Sequence, residues 1–241
     1  MIKKILKIIL KKFNLKIIKT NFRRPKVHPY PIPTDKEIEI IKSCKGILHV
    51  GAHRGTEAGA YDWFNKKVIW IEADPEIYED LEINIRKHYN QKSYCVLLGS
   101  KNQDNVNFYI SNNDSACSSI YQFSKEVKNK KLWNERLFFT SKKKTLEMKT
   151  LDSLVKEKKI DISEYNYWIV DIQGAELEFL KGALESLKSA MAIHLEISKE
   201  NYYEGGVQWE EIKKFLNDKK FQNTTEPDKP HTEILFLKND I

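Results

Sequence analysis

Short apolar runs alternate with longer amphipathic stretches along most of this chain, starting near Lys45. The runs with the length and composition of strands are GILHV, KVIWIEA, SYCVLLG, YWIVDIQG, MAIHLEIS and TEILFLKN, with NVNFYIS as an additional extended segment. Most of them are followed by a turn and a stretch with helical periodicity. Alternation of this kind is typical of βαβ units, so the sequence predicts an α/β fold with a doubly wound, mainly parallel sheet. The 241 residues have room for one such domain and a short appendage.

The first residues differ from the rest in charge. Residues 1–26 contain 10 of the 41 Lys and Arg residues and no acid, which leaves 31 basic against 34 acidic residues elsewhere. The net charge of +7 therefore belongs to one end, and the body is slightly acidic. This distribution argues against a nucleic-acid-binding face on the body.

Residues 1–24 combine this charge with apolar residues at helical spacing, and they predict a basic amphipathic helix. No uncharged apolar run in it exceeds three residues, so it is too polar to span a bilayer. We expect residues 1–20 to bind an anionic membrane surface. The alternatives are a helix that docks on the body or on a partner protein, and an unstructured tail. Residues 25–34 are rich in proline, which predicts an extended linker. Residues 35–241 are predicted to form the globular domain.

The cysteines Cys44, Cys95 and Cys117 lie far apart and form no CxxC pair. This argues against a zinc site or a disulfide framework and is typical of a cytoplasmic protein. With the amphipathic helix, it predicts a cytoplasmic protein that is peripheral on the inner face of a membrane. At the start of the domain, Thr34 and Glu37 form a capping box that predicts a helix to about Ser43.

A glycine turn follows the first strand, and an acid ends the second. Gly51 and Gly55 form a GxxxG turn, and Glu72 lies twenty-one residues after Gly51. A turn of this kind lets a ligand approach the backbone, and an acid at that place accepts hydrogen bonds from ribose hydroxyls. His53 stands where a dinucleotide turn has its middle glycine, and the sequence has no GxxxxGK[ST]. A cofactor that has a ribose but no phosphate fits this turn better than a dinucleotide or a nucleoside triphosphate does. This indicates S-adenosylmethionine.

Several segments resemble the successive motifs of FkbM-type methyltransferases: VGAHRG, IEADPE, MKTLDSL, VDIQGAELEFLKGA and HLEIS. The resemblance covers roughly residues 46–206. It implies the Rossmann-like class I methyltransferase fold, S-adenosylmethionine as donor, and O-methylation of a hydroxyl on a sugar, a glycan or a related small molecule. The sequence departs from the family at His49, where many members have an acid, and at Ala73, where proline is common.

The resemblance also implies roles for residues at the strand ends. Gly51, Ala52 and Gly55 would line the methionine and ribose side, and Glu72 would bind the ribose. Leu98, Gly99 and Ser100 would end the third strand beside the adenine. Asp171, at the end of the fourth strand, would face the sulfonium, whose positive charge its carboxylate stabilises.

O-Methylation needs a base for the hydroxyl proton. The candidates are Asp171, Glu176, His194, Glu196 and His53, and the leading ones are Glu196 and His194, which strand alternation puts on one side of MAIHLEIS. Asp171 and Glu196 also suggest a Mg²⁺ site, but two ligands are too few, so we expect no metal.

Other functions remain open at this point. One is a nucleic-acid methyltransferase, although the sequence lacks the (N/D)PP(Y/F/W) tetrapeptide of amine methylation. Another is a membrane-recruited module that binds S-adenosylmethionine without turnover. An oxidoreductase is least favoured because of the glycine pattern. The acceptor and the oligomeric state are not indicated by the sequence.

Overall fold

The structure, a computed structural model, describes residues 34–125, 127 and 139–239. The predicted basic helix over residues 1–24 lies outside this part of the chain, as does the predicted linker except for Thr34.

The described residues form helices and strands in the predicted alternation. The strands are β1 (Gly46–Val50), β2 (Lys67–Glu72), β3 (Gln91–Cys95), β4 (Leu97–Leu98), β5 (Gln103–Ser111), β6 (Thr140–Lys149), β7 (Tyr167–Val170), β8 (Ala192–Ser198), β9 (Phe221–Asn223) and β10 (His231–Lys238). The α-helices are α1 (Asp35–Ser43), α2 (Ala58–Trp63), α3 (Pro75–Ile85), α4 (Leu151–Lys158), α5 (Glu176–Lys181) and α6 (Trp209–Asp218).

The main sheet of the described chain has seven strands in the order β3-β2-β1-β7-β8-β10-β9. Neighbours from β3 to β8 are parallel, whereas β10 pairs antiparallel with β8 and with β9. The predicted doubly wound, mainly parallel α/β fold is confirmed. The central strands β1, β2 and β7 are buried on both faces, with Trp70 and Trp168 fully enclosed, which explains why they read as continuous apolar runs.

The third predicted strand, SYCVLLG, is divided between two sheets. The part up to Cys95 belongs to β3, but Leu97 and Leu98 pair with Met148 and Lys149 of β6 in a three-stranded sheet, β4-β6-β5. The single strand expected there is therefore wrong. An apolar run does not show where the chain changes sheet, because the apolar character continues through Val96 while the pairing partner changes.

Helix α1 begins as the sequence predicts. The Thr34 side chain accepts a hydrogen bond from the Glu37 amide, and the Glu37 carboxylate accepts one from the Thr34 amide, while Ile40 and Ile41 pack into the core. Across the described ranges, no helix combines the length and the apolar character needed to cross a membrane.

The sheet order reverses between β1 and β7. Strands β2 and β3 extend the sheet on one side of β1, and β8 and β10 extend it on the other side of β7. In open α/β sheets a ligand binds at the carboxyl ends of the strands at such a point. Here those ends lead into Gly51 and Asp171.

Candidate active site

The turn after β1 requires a glycine at position 51. Gly51 has a φ of +80°, in the left-handed region, and a Cβ there would overlap the carbonyl oxygen of Asp171. The turn is held by the amides of Gly51 and Ala52, which both donate to the carbonyl oxygen of Ile71, at 3.0 and 2.9 Å. The backbone of β1 therefore passes directly between the ends of β2 and β7.

A cavity of about 250 Å³ opens above this turn, and we name it the first cavity. Five of the residues expected to bind the cofactor line it: Gly51, Ala52, Glu72, Leu98 and Asp171. The structure thus brings together residues from the ends of β1, β2, β4 and β7 that are far apart in the sequence.

Gly55, Gly99 and Ser100 do not line this cavity. A Cβ on Gly55 would lie 2.5 Å from the Leu81 side chain, so this glycine admits helix α3 rather than a ligand. Gly99 packs against the sulfur of Met148, because β4 has joined the small sheet. The Ser100 hydroxyl donates to the Glu178 carboxylate at 2.5 Å. The expected cofactor contacts of these three residues are therefore replaced by packing and capping contacts.

Glu72 is buried, and its two carboxylate oxygens accept the backbone amides of His53, at 2.8 Å, and Asp74, at 2.7 Å. A carboxylate oxygen can accept more than one hydrogen bond, so a ligand hydroxyl can share an oxygen with an amide. Burial raises the pKa of Glu72 to about 7, with hydrogen bonds from the amides of Asp74, His53 and Ala73 acting against this rise. The geometry suits a ligand with two adjacent hydroxyls.

The two ends of the first cavity differ in polarity. Val96, Leu98, Phe108 and Ile120 line one part of its wall and form an apolar surface. Asp171 lines another part, where burial raises the pKa of its carboxyl well above the ordinary value and nearby Glu196 adds to the rise. A ligand with a flat apolar group and a cationic group would match the two parts, because a cation there stabilises the ionised carboxylate.

His49, which departs from the family pattern, lies in the wall of the same cavity. Its ring stacks on Trp70 with a centroid distance of 4.9 Å, and burial lowers its pKa to about 3. The imidazole is therefore neutral, and this position contributes no charge to the site.

A second cavity, of about 230 Å³, adjoins the first, and the two share Ala116, Asp171 and Gln173 as wall residues. The second cavity is also lined by Glu196, one of the two leading candidates for the base. The remaining wall is formed by Asn113, Cys117, Phe123, Tyr202, Tyr203 and His231.

Gln173 lies at the junction of the two cavities. Its amide nitrogen donates to the carboxyls of Asp171, at 2.6 Å, and Glu196, and its amide oxygen accepts the Tyr203 hydroxyl at 2.7 Å. Its φ of +58° turns the chain sharply after β7. Every polar atom of the amide is thus engaged, so Gln173 holds the two acids in a defined geometry.

Glu176 and His53 serve this geometry from outside the second cavity. One Glu176 oxygen accepts the amides of Ile172 and Gly174, both at 3.1 Å, and so fixes the turn that carries Gln173. The His53 ring approaches the carbonyl oxygen of Asp114 at 2.9 Å in the first cavity. Neither side chain reaches the second cavity, so neither is placed as a base there.

His194, one of the two leading candidates, lies away from both cavities. Its Nδ1 is 3.2 Å from a carboxylate oxygen of Glu37 on α1. His194 does share a strand face with Glu196, but it lies two residues farther from the carboxyl end, beneath helix α1. The structure therefore removes His194 from the candidate bases and gives it a part in docking α1.

His231, on β10, takes the place that His194 was expected to fill. Its Nε2 lies 2.6 Å from one oxygen of Glu196, and its Nδ1 lies 2.9 Å from the Ser198 hydroxyl. Sequence reasoning missed it because β10 pairs antiparallel with β8, so the start of this strand meets the carboxyl end of β8. The polar PHTE segment before the last apolar run is the signal that could have found it.

The segment before residue 117 is held by Arg54, a second residue that the sequence did not indicate. The buried Arg54 guanidinium binds Asp80 of α3 at 2.8 Å and both oxygens of Asp114 at 2.7 and 3.1 Å. Asp114 and Ser115 have positive φ, and Ser115 and Ala116 line the first cavity. The ion pair thus secures the segment that contributes Ser115 and Ala116 to the wall of the first cavity.

Among the residues whose placement the structure gives, no group of three or more His, Cys, Asp or Glu side chains is arranged to hold a metal ion.

Comparison with known proteins gives one family. The model of the Methyltransferase FkbM domain matches residues 49–222, most of the chain, including every residue placed in the first cavity from His49 to Ala175. No curated protein matches the sequence.

Similar solved structures include several methyltransferases. Methyltransferase FkbM from Methylobacillus flagellatus KT is 14% identical with a TM-score of 0.48, over 80% of this chain and 43% of that one, so this chain spans less than half its length. Aeropyrum pernix fibrillarin, in complex with S-adenosyl-L-methionine, is 11% identical with a TM-score of 0.46, over 82% of this chain and 68% of that one. Magnesium protoporphyrin IX methyltransferase from Synechocystis PCC 6803, with bound S-adenosylmethionine, is 9% identical with a TM-score of 0.42. The match covers 97% of this chain and 96% of that one.

Proposed function

We propose that this chain, which belongs to the FkbM methyltransferase family, is an S-adenosylmethionine-dependent methyltransferase that methylates a hydroxyl group of a sugar, a glycan or a related small molecule. The observation that carries the proposal is the meeting of the two cavities at Asp171 and Gln173, with the Glu196 carboxyl on the far side. A donor in one cavity and an acceptor in the other would face each other across that junction.

The residues of the first cavity fit the donor. The carboxylate oxygens of Glu72 would accept hydrogen bonds from the two ribose hydroxyls. The apolar wall around Leu98 would cover the adenine. Asp171 would face the sulfonium, and a buried carboxylate favours a neighbouring cation. When bound, the donor supplies a methyl group already activated by a positive sulfur.

The second cavity supports a small, uncharged acceptor. Asp171 and Glu196 contribute carboxyls, Tyr202 an aromatic ring and Asn113 an amide, and no Lys or Arg is found among its described wall residues. Carboxylates repel phosphate, so a nucleic acid or a phosphorylated compound would bind poorly beside them. Hydroxyls can hydrogen-bond to these acids, and a sugar ring can pack on an aromatic side chain.

The chain's own residues then have two tasks in methyl transfer. The walls must align the acceptor oxygen with the methyl group, since orientation supplies much of the rate enhancement in a displacement. A base must remove the hydroxyl proton as the new bond forms. Glu196 is the base that we propose, because its carboxyl lines the second cavity and is held by Gln173.

Burial raises the pKa of Glu196 to about 8, with nearby Asp171, as a hydrogen-bond partner, acting against this rise. Such a group is a stronger base than an ordinary carboxylate once it is ionised.

Residues 1–20, which lie outside the described part of the chain, support a proposal about location. Their lysines and apolar residues would bind an anionic membrane surface, and the enzyme would act in the cytoplasm at the inner face of that membrane. A lipid-linked sugar would be an acceptor within reach of such a site.

Calorimetric titration with S-adenosylhomocysteine (SAH) tests the donor site. We expect micromolar binding to the wild type and its loss in Glu72→Ala, since that change removes both ribose acceptors. Glu79→Ala removes an exposed carboxyl of α3 and serves as the matched control, with unchanged affinity. Failure of the wild type to bind SAH would contradict the donor assignment.

Transfer of a labelled methyl group to panels of sugars, lipid-linked sugars and RNA tests the acceptor. Labelling of a hydroxyl compound supports the proposal. Labelling of RNA alone would contradict it and favour a nucleic-acid methyltransferase. Binding of SAH without labelling of any acceptor would favour a module without turnover.

A further inference from the structure

We propose that Glu196, His231 and Ser198 form a proton relay that carries the acceptor's hydroxyl proton from the second cavity toward the surface. The inference rests on the proposed function, because it assumes a hydroxyl acceptor beside Glu196. It adds His231 and Ser198, which have no part in the donor site.

The three groups form a continuous line of hydrogen bonds. One oxygen of Glu196 lies 2.6 Å from Nε2 of His231, and Nδ1 of His231 lies 2.9 Å from the Ser198 hydroxyl. Ser198 ends β8, and the exposed residues Lys199 and Glu200 follow it. The line therefore starts at the wall of the second cavity and ends next to the exposed part of the chain.

The other oxygen of Glu196 is occupied by the amide nitrogen of Gln173, which donates and cannot accept a proton. Asp171, which also hydrogen-bonds to Glu196, is a buried acid whose pKa is raised well above its ordinary value, so it keeps its own proton and His231 is the partner that can take one. An imidazole suits the task because it can take a proton at one ring nitrogen while it releases another from the opposite nitrogen.

The charged surroundings keep His231 ready to accept. Burial lowers the pKa of His231, whereas the carboxyls of Asp171, Glu176 and Glu233 act in the opposite direction. Tyr202 is a further titratable neighbour, and its ring lies 5.6 Å from the imidazole. The ring is therefore neutral at rest, and the surrounding acids stabilise the transient cation.

Methyl transfer to the acceptor oxygen is coupled to release of its hydroxyl proton. The acceptor oxygen forms a bond to the methyl carbon, the carbon–sulfur bond breaks, and its electron pair stays on sulfur. The hydroxyl proton passes to Glu196, then from Glu196 to Nε2 of His231. The proton on Nδ1 passes to the Ser198 oxygen, whose own proton leaves to solvent. One proton is released for each methyl group transferred.

Two substitutions of His231 separate a relay from simple positioning. His231→Gln keeps a hydrogen-bonding amide next to Glu196 but cannot carry a proton, and we expect kcat to fall on the order of 10²-fold. The Kd for SAH should stay within about twofold of wild type, because His231 does not line the first cavity. His231→Ala should lose kcat similarly and regain part of it when imidazole is added.

His194→Gln is the matched control, since this histidine lies on β8 but outside both cavities and its kcat should not change. Full kcat in His231→Gln would overturn the relay, because the amide would then have done all that the imidazole does. Absence of rescue of His231→Ala by imidazole would overturn it as well.

A readout without turnover separates failure of the relay from failure of the proposed function. The ring nitrogens of His231 can be observed by NMR in the SAH-bound protein, and Glu196→Gln should change the chemical shift of Nε2, because the carboxyl that hydrogen-bonds to this nitrogen is replaced by an amide. An unchanged Nε2 shift would overturn the direct coupling on which the relay depends. If the wild type methylates no hydroxyl but the coupling is present, the proposed function has failed instead.

Discussion

Gly51 and Asp171 leave adjacent parallel strands so closely that no side chain fits between them. The Asp171 amide donates to the carbonyl oxygen of Val50 at 3.0 Å, and a Cβ on Gly51 would overlap the Asp171 carbonyl. The turn after β1 and the junction of the two cavities at Asp171 are therefore one rigid unit, which lies where the sheet order reverses.

Gly51→Ala should damage both stability and donor binding. Its left-handed backbone alone costs a residue with a side chain about 1–3 kcal/mol, and the overlap adds to this. Thermal unfolding and SAH titration measure the two effects. Gly59→Ala, in helix α2 with open space around the added carbon, should instead stabilise the fold by up to about 1 kcal/mol. Equal behaviour of the two variants would contradict the assigned role of Gly51.

Arg54→Met should loosen the segment that contributes Ser115 and Ala116 to the wall of the first cavity. The substitution leaves Asp80 and Asp114 without their cation, and we expect a loss of about 1–3 kcal/mol in unfolding free energy, with weaker SAH binding. Chemical denaturation and calorimetry provide the measurements. Lys67→Met breaks an exposed pair with Glu164 and should change the unfolding free energy much less than Arg54→Met, because solvent screens an exposed pair. Retention of wild-type SAH affinity in Arg54→Met would show that the ion pair does not secure the cavity wall.

Stability should fall as the pH rises above neutrality. Burial raises the pKa of Glu72 and Glu176 to about 7 and of Glu196 to about 8, from an ordinary value of 4.5. The folded state then binds protons more tightly than the unfolded chain, so the stability that these groups contribute is fully present below pH 4.5 and is lost as the pH rises through 7 to 8.

Melting temperatures between pH 6 and 9 would measure this loss. Glu196→Gln should flatten the slope, whereas Glu79→Gln, an exposed carboxyl, should keep it. A melting temperature that increases over this interval would have the wrong sign.

Removal of residues 1–24 should abolish sedimentation with anionic vesicles, since each lysine near such a surface contributes about 1 kcal/mol of attraction. The affinity for SAH should be unchanged, because the first cavity is built from residues 49–175. Vesicles of neutral lipid are the control for the full chain. If the shortened protein sediments as well as the full chain, the membrane contact lies elsewhere.

Much of the fold could be predicted because local and global patterns agree. The buried runs of β1, β2, β7 and β8 are read directly from the sequence, and so is the capping box of α1. The change of sheet at Val96 could not be predicted, since the apolar run continues through it without a turn residue. Strand β9 is three residues long and leaves too little pattern to recognise.

The cofactor side of the site was predicted better than the acceptor side. Glu72 and Asp171 follow strands whose positions in the sheet are given by the chain's alternation. Glu196 was placed correctly at a strand end, but its partner His231 comes from an antiparallel strand 35 residues later. A contact of that kind depends on register, which the sequence alone does not give. Arg54 was missed because its partners meet it only through tertiary packing.

The wall around Ala116 belongs to both cavities, and that sharing has a thermodynamic consequence. A ligand that shifts this wall on one side changes the free energy of binding on the other. If the bound donor raises the affinity for the acceptor by some factor, the bound acceptor must raise the affinity for the donor by the same factor. Donor and acceptor are therefore expected to bind cooperatively, with the size of their coupling set by how firmly one short segment of main chain is held.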